Sequence, residues 1–279
     1  MAAHIAIEHE VELRMPAKVA GSGAPLVLVP GGLTGRLSWE PYVERLAATR
    51  QVVTVQLISV EYGLERRSLP ADYSLRTESR ALDAALRDLG LTAPVDLIAW
   101  SYGAAITLDY ALNHPDRVLT LTLIEPPAFW VLGSQTPRGP EYESLWALSK
   151  TIRGSVSEAQ LEQFACAVGL CPPGKTPREL PQWPVWLRHR NSLLNTGAPF
   201  QHQDDPARLR AFRRPVLLVK GTGSAGFLHQ IIDSLAEQLP NAQTVELPGG
   251  HAPQLVSMDR FLERLMLFQN SAHNLSGMG

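Results

Sequence analysis

The stretch Val95–Ala105, VDLIAWSYGAA, joins an apolar run directly to a series of small residues. The run that ends at Trp100 is typical of a strand buried on both faces, and the residues after Ser101 begin a helical pattern. A serine at such a junction occupies a sharp strand-to-helix turn, and its hydroxyl projects above the sheet at the start of the helix. Small neighbours such as Gly103 are needed there because a β-carbon would collide with the adjoining strand. The stretch therefore predicts an α/β fold with an exposed nucleophilic serine, the alternative being an ordinary strand–helix turn.

Short apolar runs followed by amphipathic patterns recur on both sides of this stretch. The predicted strands are Leu26–Val29, Val52–Ile58, Val95–Trp100, Val118–Ile124, Val216–Val219 and Thr244–Leu247. The predicted helices cover residues 74–89, 103–113, 227–239 and 259–268. Continuous apolar runs are typical of parallel sheets, and strand–helix alternation implies right-handed crossovers with helices on both faces. We therefore predict an α/β protein with a mostly parallel central sheet.

Three segments fall outside this alternation. Met1–Met15 alternates apolar with polar residues, which predicts a half-exposed antiparallel strand or hairpin. Residues 126–206 carry helical patterns, a cluster of prolines and four of the six tryptophans, but no strand–helix pair. We predict that they form a helical cap over the carboxyl edge of the sheet, where ligands bind in open α/β sheets. The expected organisation is a core of residues 1–125 and 207–270, a cap of 126–206 and a disordered tail of 271–279.

The composition excludes several classes of protein. The chain has 279 residues and a formal net charge of −2, so it presents no long-range field for nucleic acid. No apolar run approaches the length of a membrane span, about 18 residues. Its two cysteines, Cys166 and Cys171, cannot form a disulfide framework and lack zinc spacing, so no metal is expected. Met1–Met15 lacks the apolar core of a secretory signal, so we expect a cytoplasmic protein. Its expected partner is a small molecule, and a homodimer is the oligomer considered.

The order of these motifs resembles the α/β-hydrolase fold family. Ala99–Gly103, AWSYG, matches the family's nucleophile turn apart from Ala99 at the first small position. His251 follows in Leu247–Pro253, LPGGHAP, a loop after the last predicted strand, where the family places its general base. The resemblance covers nearly the whole chain. It implies an α/β-hydrolase fold with a cap, with Ser101 as nucleophile and His251 as base.

The acid of the expected triad is not where many family members carry it. The loop after the penultimate predicted strand is Gly221–Gly226, GTGSAG, which has no carboxylate. Glu125 instead ends the strand next to the serine turn, and haloalkane dehalogenases and zearalenone-type lactone hydrolases take their acid from this position. A glutamate that ends a buried strand is costly unless it is paired. We expect Glu125 to be the acid. The alternatives are that it only accepts bonds from backbone or a cap arginine, or that Asp233 or Asp259 serves.

The oxyanion of an acyl-transfer intermediate needs backbone N–H donors. In the family, one belongs to the residue after the nucleophile, here Tyr102, and another to the loop after the first parallel strand. That loop is Pro30–Gly35, PGGLTG, and we expect Gly32 to supply the donor, with Leu33 as its neighbour. The alternatives are a merely glycine-rich turn or a phosphate-binding loop, and the second is disfavoured because no G-K-[ST] follows.

Among relatives, the site layout is most similar to that of zearalenone-type lactone hydrolases. The shared features are V-P-x-G-L at Val29–Leu33, Glu125, P-G-x-H-x-P at Pro248–Pro253 and Pro-x-Trp at Pro181–Trp183. The resemblance implies an ester or lactone substrate, and the aromatic residues of the cap predict a hydrophobic or aromatic group on it. The expected substrate-binding residues are Gly31, Leu33, Phe129, Trp130, Trp183 and Trp186, with packing inside the cap as the alternative for Trp186.

Together these features predict a serine hydrolase of an ester or lactone that works through a Ser-His-Glu triad and an acyl-enzyme, without a cofactor. Two other reactions would use the same triad, namely hydrolysis of a carbon–carbon bond and cofactor-free perhydrolysis. A third hypothesis is a non-catalytic ligand-binding protein of the same fold, which the missing acid after Lys220 favours. Dehalogenation is disfavoured because displacing halide requires a carboxylate nucleophile where this chain has Ser101.

Overall fold

A seven-stranded sheet forms the centre of the computed structural model, which describes residues 13–133, 136–172 and 174–276. The strands are β1 (Ala17–Ala20), β2 (Pro25–Val29), β3 (Gln51–Val55), β4 (Val95–Trp100), β5 (Val118–Ile124), β6 (Val216–Gly221) and β7 (Ala242–Leu247). Their order in the sheet is β1-β3-β2-β4-β5-β6-β7. Only β1 is antiparallel, pairing with β3, whereas all other neighbours are parallel. The predicted mostly parallel sheet is thus confirmed.

Helices cover both faces of this sheet. They are α1 (Glu40–Leu46), α2 (Ile58–Glu65), α3 (Leu75–Asp88), α4 (Tyr102–Asn113), α5 (Pro140–Thr151), α6 (Glu158–Ala167), α7 (Trp183–His189), α8 (Ala198–Gln201), α9 (Pro206–Ala211), α10 (Gly226–Gln238), α11 (Pro253–Val256) and α12 (Met258–Ser276). Within the part of the chain that the structure describes, none of them combines the length and apolar character needed to cross a bilayer. The four helices expected from the sequence correspond to α3, α4, α10 and α12.

The two faces are divided by the pleat of the strands, because consecutive side chains point to opposite sides. Leu26 and Leu28 of β2 belong to a core that also contains Tyr42 of α1 and Phe261 of α12. Their neighbours on the same strand join the larger core that α3, α4 and α10 form on the other face. Burial on both sides explains why these strands are apolar at every position.

One predicted strand was too long. The apolar run Val52–Ile58 ends as a strand at Val55, and Ile58 begins α2. The reason is the fully buried side chain of Glu78, whose oxygens accept hydrogen bonds of 2.8 Å from the backbone N–H groups of Ile58 and Ser59. A carboxylate on the first free N–H groups of a helix stabilises its start. This capping residue is distant in sequence, so the run itself carried no sign of it.

The sequence predicted a strand or hairpin at the N-terminus of the chain and a disordered tail at its C-terminus. Of the strand or hairpin expected over Met1–Met15, the first twelve residues lie outside the described residues, and Leu13–Met15 precede β1 without strand structure. The expectation of a disordered tail is wrong for residues 271–276, which continue α12. Ala272 is buried, and His273 Nε2 lies 3.1 Å from the carboxylate of the buried Asp96. These contacts hold the last turns of the helix against the core. Residues 277–279 of that tail lie outside the described residues.

The segment predicted as a cap, residues 126–206, contains α5 to α8 and several 3₁₀ turns, and its described residues add no strand to the central sheet. Its 3₁₀ segment Arg190–Asn195 packs closely on α2. A β-carbon on Gly63 of α2 would lie 2.6 Å from the backbone nitrogen of Ser192. The two backbones therefore touch, which anchors this part of the cap segment to the core.

Candidate active site

Ser101 stands at the turn between β4 and α4 in a conformation that L-residues rarely adopt, with φ 54° and ψ −126°. The turn is held by the hydrogen bond of 2.8 Å that its backbone N–H donates to the carbonyl of Ile124. A β-carbon on Gly103 would lie 2.1 Å from the carbonyl oxygen of Pro30. The small residue expected at this position is therefore required by the close approach of α4 to the end of β2.

This contact makes Gly103→Ala a test of the turn. We expect the substitution to lower the free energy of unfolding by about 3 kcal/mol, since the new methyl group must push helix and strand apart. Urea denaturation measures the effect. Gly226→Ala is the matched control, because its β-carbon meets no atom within 4 Å and its φ is not positive. A Gly103→Ala protein as stable as the control would contradict this geometry.

His251 lies in the loop after β7, with its ring between Ser101 and a buried carboxylate. Its Nε2 is 2.7 Å from Ser101 Oγ and its Nδ1 is 2.8 Å from Glu125 Oε2. Because the carboxylate can only accept, Nδ1 carries the proton and Nε2 is free to accept from the serine hydroxyl. The backbone of His251 is fixed from two sides, by Trp100 Nε1 donating to its carbonyl at 2.6 Å and by its own N–H donating to Gly169 of the cap segment at 3.0 Å.

Glu125 is fully buried and also has positive φ, at 47°. Its second oxygen, Oε1, accepts from the backbone N–H of Gly221 at 2.7 Å and from the hydroxyl of Ser224. No cap arginine contacts it among the described residues. The other two candidate acids point elsewhere, since Asp233 pairs with Lys220 and Asp259 pairs with Arg45. Of the carboxylates considered from the sequence, the structure therefore brings only Glu125 to His251.

The loop without a carboxylate, Gly221–Gly226, contributes to the site in another way. A β-carbon on Gly221 would lie 2.3 Å from the carbonyl oxygen of Gly250, so this loop packs directly on the loop that carries His251, here called the histidine loop. That packing brings the Ser224 hydroxyl and the Gly221 N–H onto Glu125. From the sequence, this loop was considered only as a source of the acid, and the hydrogen-bond donors Gly221 and Ser224 were not predicted. These two donors hold the carboxylate with its other oxygen, Oε2, facing His251.

On the expectation of a Ser-His-Glu triad, Ser224→Ala should weaken catalysis while the contact between Glu125 and His251 remains. A hydrogen bond to a charged group contributes about 1.5–3 kcal/mol, so we expect kcat to fall by about tenfold, since tenfold in rate corresponds to about 1.4 kcal/mol. The Gly221 N–H remains in place and limits the loss. Steady-state kinetics on a p-nitrophenyl ester measures the change. Thr222→Ala, at an exposed position of the same loop, is the control. Equal kcat values for the two variants would show that Ser224 does not support the carboxylate.

The residues expected to form the oxyanion hole line the same space as Ser101. The backbone N–H groups of Gly32, Leu33 and Tyr102 have no acceptor among the described residues. That of Tyr102 is also one of the free N–H groups at the start of α4, where the helix dipole favours negative charge. A β-carbon on Gly31 would lie 2.9 Å from the ring of Trp100, whereas one on Gly32 would make only ordinary contacts. Packing thus requires glycine at 31, and the donor role of Gly32 stays a prediction.

A cavity of about 640 Å³, including its opening to solvent, lies between this site and the cap segment. Most of its lining is apolar. The lining residues are Gly31, Gly32, Leu33, Trp100, Ser101, Tyr102, Pro127, Phe129, Leu145, Phe164, Val168, Leu170, Leu193, Asn195, Thr196, Pro199, Phe200, Phe227, Leu228 and His251. Phe129 and Phe200 stack with ring centroids 4.1 Å apart. Such a wall favours a substrate with a hydrophobic group.

Three of the six expected substrate-binding residues line this cavity, namely Gly31, Leu33 and Phe129. The other three, the tryptophans, do not line it. Trp130 packs edge-on against His202, Trp183 begins α7 beside the guanidinium of Arg178, and Trp186 is buried inside the cap segment. Adjacent side chains of a 3₁₀ turn diverge, so Phe129 and Trp130 cannot face the same space. The aromatic wall comes instead from phenylalanines that the sequence reasoning overlooked: Phe164, Phe200 and Phe227.

One cluster of metal-ligating side chains exists among the described residues, formed by Asp109, His202 and Asp204. Arg208 already donates to both oxygens of Asp204, at 2.8 and 2.7 Å, and Arg76 Nε lies 3.7 Å from Asp109. Two guanidinium groups thus neutralise the two carboxylates, and a cation would have to displace them. Asp109 is also eight residues along α4 from Ser101, which at 1.5 Å per residue is about 12 Å. The cluster is therefore separate from the candidate active site.

Comparison with known proteins finds a matching family model, similar sequences and similar folds. The model of the alpha/beta hydrolase family matches residues 26–264. The chain is 27% identical over 250 residues to the "Putative carbamate hydrolase RutD" of Klebsiella pneumoniae (strain 342), covering 86% of this chain and 89% of that protein. A haloalkane dehalogenase of Agrobacterium fabrum is 36% identical over 107 residues, 38% of this chain and 34% of its own. Among solved structures, a thermophilic esterase from Thermogutta terrifontis has a similar fold, with TM-score 0.72 and 20% identity over 93% of this chain and 94% of the esterase.

Proposed function

Because this chain belongs to the alpha/beta hydrolase family, we propose that it is a serine hydrolase that cleaves a carboxylic ester or lactone carrying a hydrophobic or aromatic group. The observation that carries the proposal is the hydrogen-bond chain from Ser101 through His251 to Glu125. Along these hydrogen bonds, a neutral imidazole is placed to accept the serine proton. A buried carboxylate is placed to stabilise the imidazolium that results.

The first half-reaction transfers the acyl group to the enzyme. Ser101 Oγ attacks the carbonyl carbon while its proton passes to His251 Nε2. The carbonyl oxygen becomes an oxyanion beside the N–H groups of Tyr102 and Gly32, each of which contributes about 3–4 kcal/mol to the transition state. When the intermediate collapses, the bond to the leaving alcohol breaks, the alcohol takes the proton from His251, and Ser101 is left acylated.

The second half-reaction returns the enzyme to its starting state. Water attacks the acyl carbon and gives a proton to His251 Nε2, and a second oxyanion forms in the same place. Collapse breaks the bond to Ser101 Oγ, which recovers its proton from the imidazole, and the carboxylic acid leaves. With a lactone, the alcohol and the acid produced belong to one molecule.

The substrate class follows from the cavity and from the nucleophile. The apolar wall around Phe129 and Phe200 supports a hydrophobic acyl or alcohol group. The likeness to a haloalkane dehalogenase does not extend the proposal to halides, because Ser101 lacks the carboxylate that forms the ester intermediate in such a displacement. The similarity to the "Putative carbamate hydrolase RutD" is consistent with an acyl-transfer reaction here.

The other functions expected from the sequence differ in what they require. Carbon–carbon bond hydrolysis and perhydrolysis use the same triad, so only substrate profiling separates them from ester or lactone hydrolysis. A non-catalytic ligand-binding protein has no need of a polarised serine. The contact of 2.7 Å between Ser101 and His251, and the acid on the other side of the ring, therefore favour catalysis.

Labelling with a fluorophosphonate tests the proposal. The purified protein is treated with the reagent, and adducts are found by intact mass and peptide mapping. We expect one adduct, on Ser101, forming much more slowly in Glu125→Gln. A panel of p-nitrophenyl esters and of lactones with short, long and aromatic groups then defines the substrate class. The absence of an adduct under conditions that label a control esterase would overturn the proposed function.

A further inference from the structure

We propose that the side-chain amide of Asn195 is a third donor to the oxyanion, supplied by the cap segment. This inference rests on the proposed function and adds a catalytic residue to it. The juxtaposition behind it is that Asn195 lines the cavity beside Gly32 and Tyr102, the two expected backbone donors. Its Nδ2 lies 3.5 Å from the point where a β-carbon on Gly32 would stand, and Tyr102 Cβ lies at the same distance from that point.

The position of Asn195 is rigid. It ends the 3₁₀ segment Arg190–Asn195, whose backbone touches α2 at Gly63. The same segment contacts the loop Pro30–Gly35, here called the oxyanion loop, since Ser192 Oγ lies 3.3 Å from the carbonyl oxygen of Leu33. A donor contributes most to catalysis when it is already fixed before the charge develops. The cap segment and the oxyanion loop are thus held in one arrangement.

The orientation of the amide follows from its partner. Asn195 Nδ2 donates to Ser59 Oγ at 2.9 Å, and Ser59 is held in place by its backbone N–H, which donates to the buried carboxylate of Glu78 at 2.8 Å. The nitrogen of a side-chain amide only donates, so Ser59 Oγ is the acceptor in this contact. This assigns the NH₂ group to the side of Ser59. Only one of its two hydrogens is used there, which leaves the second available at the cavity.

The other polar side chains of the cavity wall have no proton left to give. Tyr73 donates to Glu78 at 2.7 Å, so the Tyr102 hydroxyl, 3.0 Å away, donates to Tyr73. The Thr196 hydroxyl donates to the carbonyl of Leu193. Trp100 donates to the histidine loop, as described above. Apart from the triad, Asn195 therefore carries the one side-chain donor that is unused among the described residues of this wall.

Glu78 anchors both of these chains and explains why they persist in a buried place. Burial raises the pKa of Glu78, and hydrogen bonds from Ser59, Tyr73 and Ile58 oppose that rise. One chain runs from Asn195 to Ser59, whose backbone N–H donates to Glu78, and the other runs from Tyr102 through Tyr73 to the same carboxylate. A buried polar amide in an apolar wall is costly unless its groups are used. An oxyanion that forms in the cavity beside Asn195 would accept from the second hydrogen of its amide.

Kinetics of Asn195 variants test the inference. We expect Asn195→Ala to lower kcat on p-nitrophenyl butyrate by about 10²-fold, as loss of an oxyanion donor does, with KM changed by less than about threefold. Asn195→Leu keeps the branching and the number of heavy atoms of the side chain and should give the same loss. The affinity for phenylethylboronic acid, which forms a tetrahedral adduct on the serine, should fall in parallel. Gln201→Ala is the matched control, since it removes an exposed amide of the cap segment that does not line the cavity, and we expect it to keep both values.

The outcomes separate this inference from the proposed function. A wild-type protein that neither turns over esters nor labels at Ser101 would overturn both. An active wild type whose Asn195 variants keep kcat, or whose affinity for the boronic acid falls no more than that of Gln201→Ala, would overturn the inference alone. A parallel loss of kcat and boronate affinity at unchanged KM supports it, because a merely structural role of Asn195 would not weaken the transition state selectively.

Discussion

Replacing Ser101 with alanine is expected to reduce kcat for ester hydrolysis by at least about 10⁴-fold, because no acyl-enzyme can then form. His251→Ala should have an effect of the same order, since the serine then has no base within reach. Steady-state kinetics on the preferred ester measures both losses. Neither substitution should change the fold, because the two side chains meet each other in the site and α4 keeps its own hydrogen bonds.

The control for this prediction is Ser155→Ala, at an exposed serine of the cap segment. Its kcat should equal that of the unmodified protein. Thermal unfolding of all three variants checks that activity is compared between folded proteins. Residual activity of Ser101→Ala above a hundredth of the wild-type value would mean that another group attacks the substrate, and the acyl-enzyme mechanism would have to be abandoned.

Glu125→Gln is expected to lower kcat by at least about 10²-fold, and by up to about 10⁴-fold if the imidazole adopts the unproductive tautomer. The geometry favours that tautomer. The amide oxygen of the new glutamine would remain with the two donors that now hold Oε1, Gly221 and Ser224. Its NH₂ group would then face His251 Nδ1, which would have to accept. The proton would move to Nε2, where it blocks acceptance from Ser101.

The same kinetics and the rate of fluorophosphonate labelling measure this effect. Asp259→Asn is the matched control, since it removes an exposed carboxylate that the sequence also offered as an acid. We expect the control to label and turn over normally. A Glu125→Gln protein with near-normal turnover would dismiss Glu125 as the acid, whatever its distance from His251.

The local features of the chain were largely readable in the sequence because they depend on neighbouring residues. The apolar run before Ser101 and the small residue at Gly103 describe a strand, a turn and a helix that touch each other, and the structure has them so. The strand Val118–Ile124 was predicted with its observed bounds. Errors arose where a distant group intervened. Glu78 turned the end of the run Val52–Ile58 into a helix, and Asp96 holds His273 in what was expected to be a disordered tail.

In the cap segment, too, local features were predictable from the sequence, whereas contacts between distant residues were not. Its helical character was predictable from the spacing of its apolar residues. Which aromatic side chains face the cavity depends instead on how α5 to α8 lie on the core. The sequence favoured tryptophans because they are large and flanked by prolines, whereas Phe164, Phe200 and Phe227 line the space. Likewise, Ser224 and Asn195 are ordinary loop residues in sequence. They become donors only because packing brings them to Glu125 and to Gly32.

By itself, then, the sequence determined the fold class, the serine turn and the candidates for base and acid, because strand burial and turn geometry are set by residues close together in the chain. Only the tertiary structure decided which candidate acid meets His251, which donors hold that acid and which residues line the cavity. Those contacts join residues about a hundred positions apart, as between Glu125 and Ser224. They depend on how the loops at the carboxyl edge of a parallel sheet converge, and no local pattern encodes that convergence.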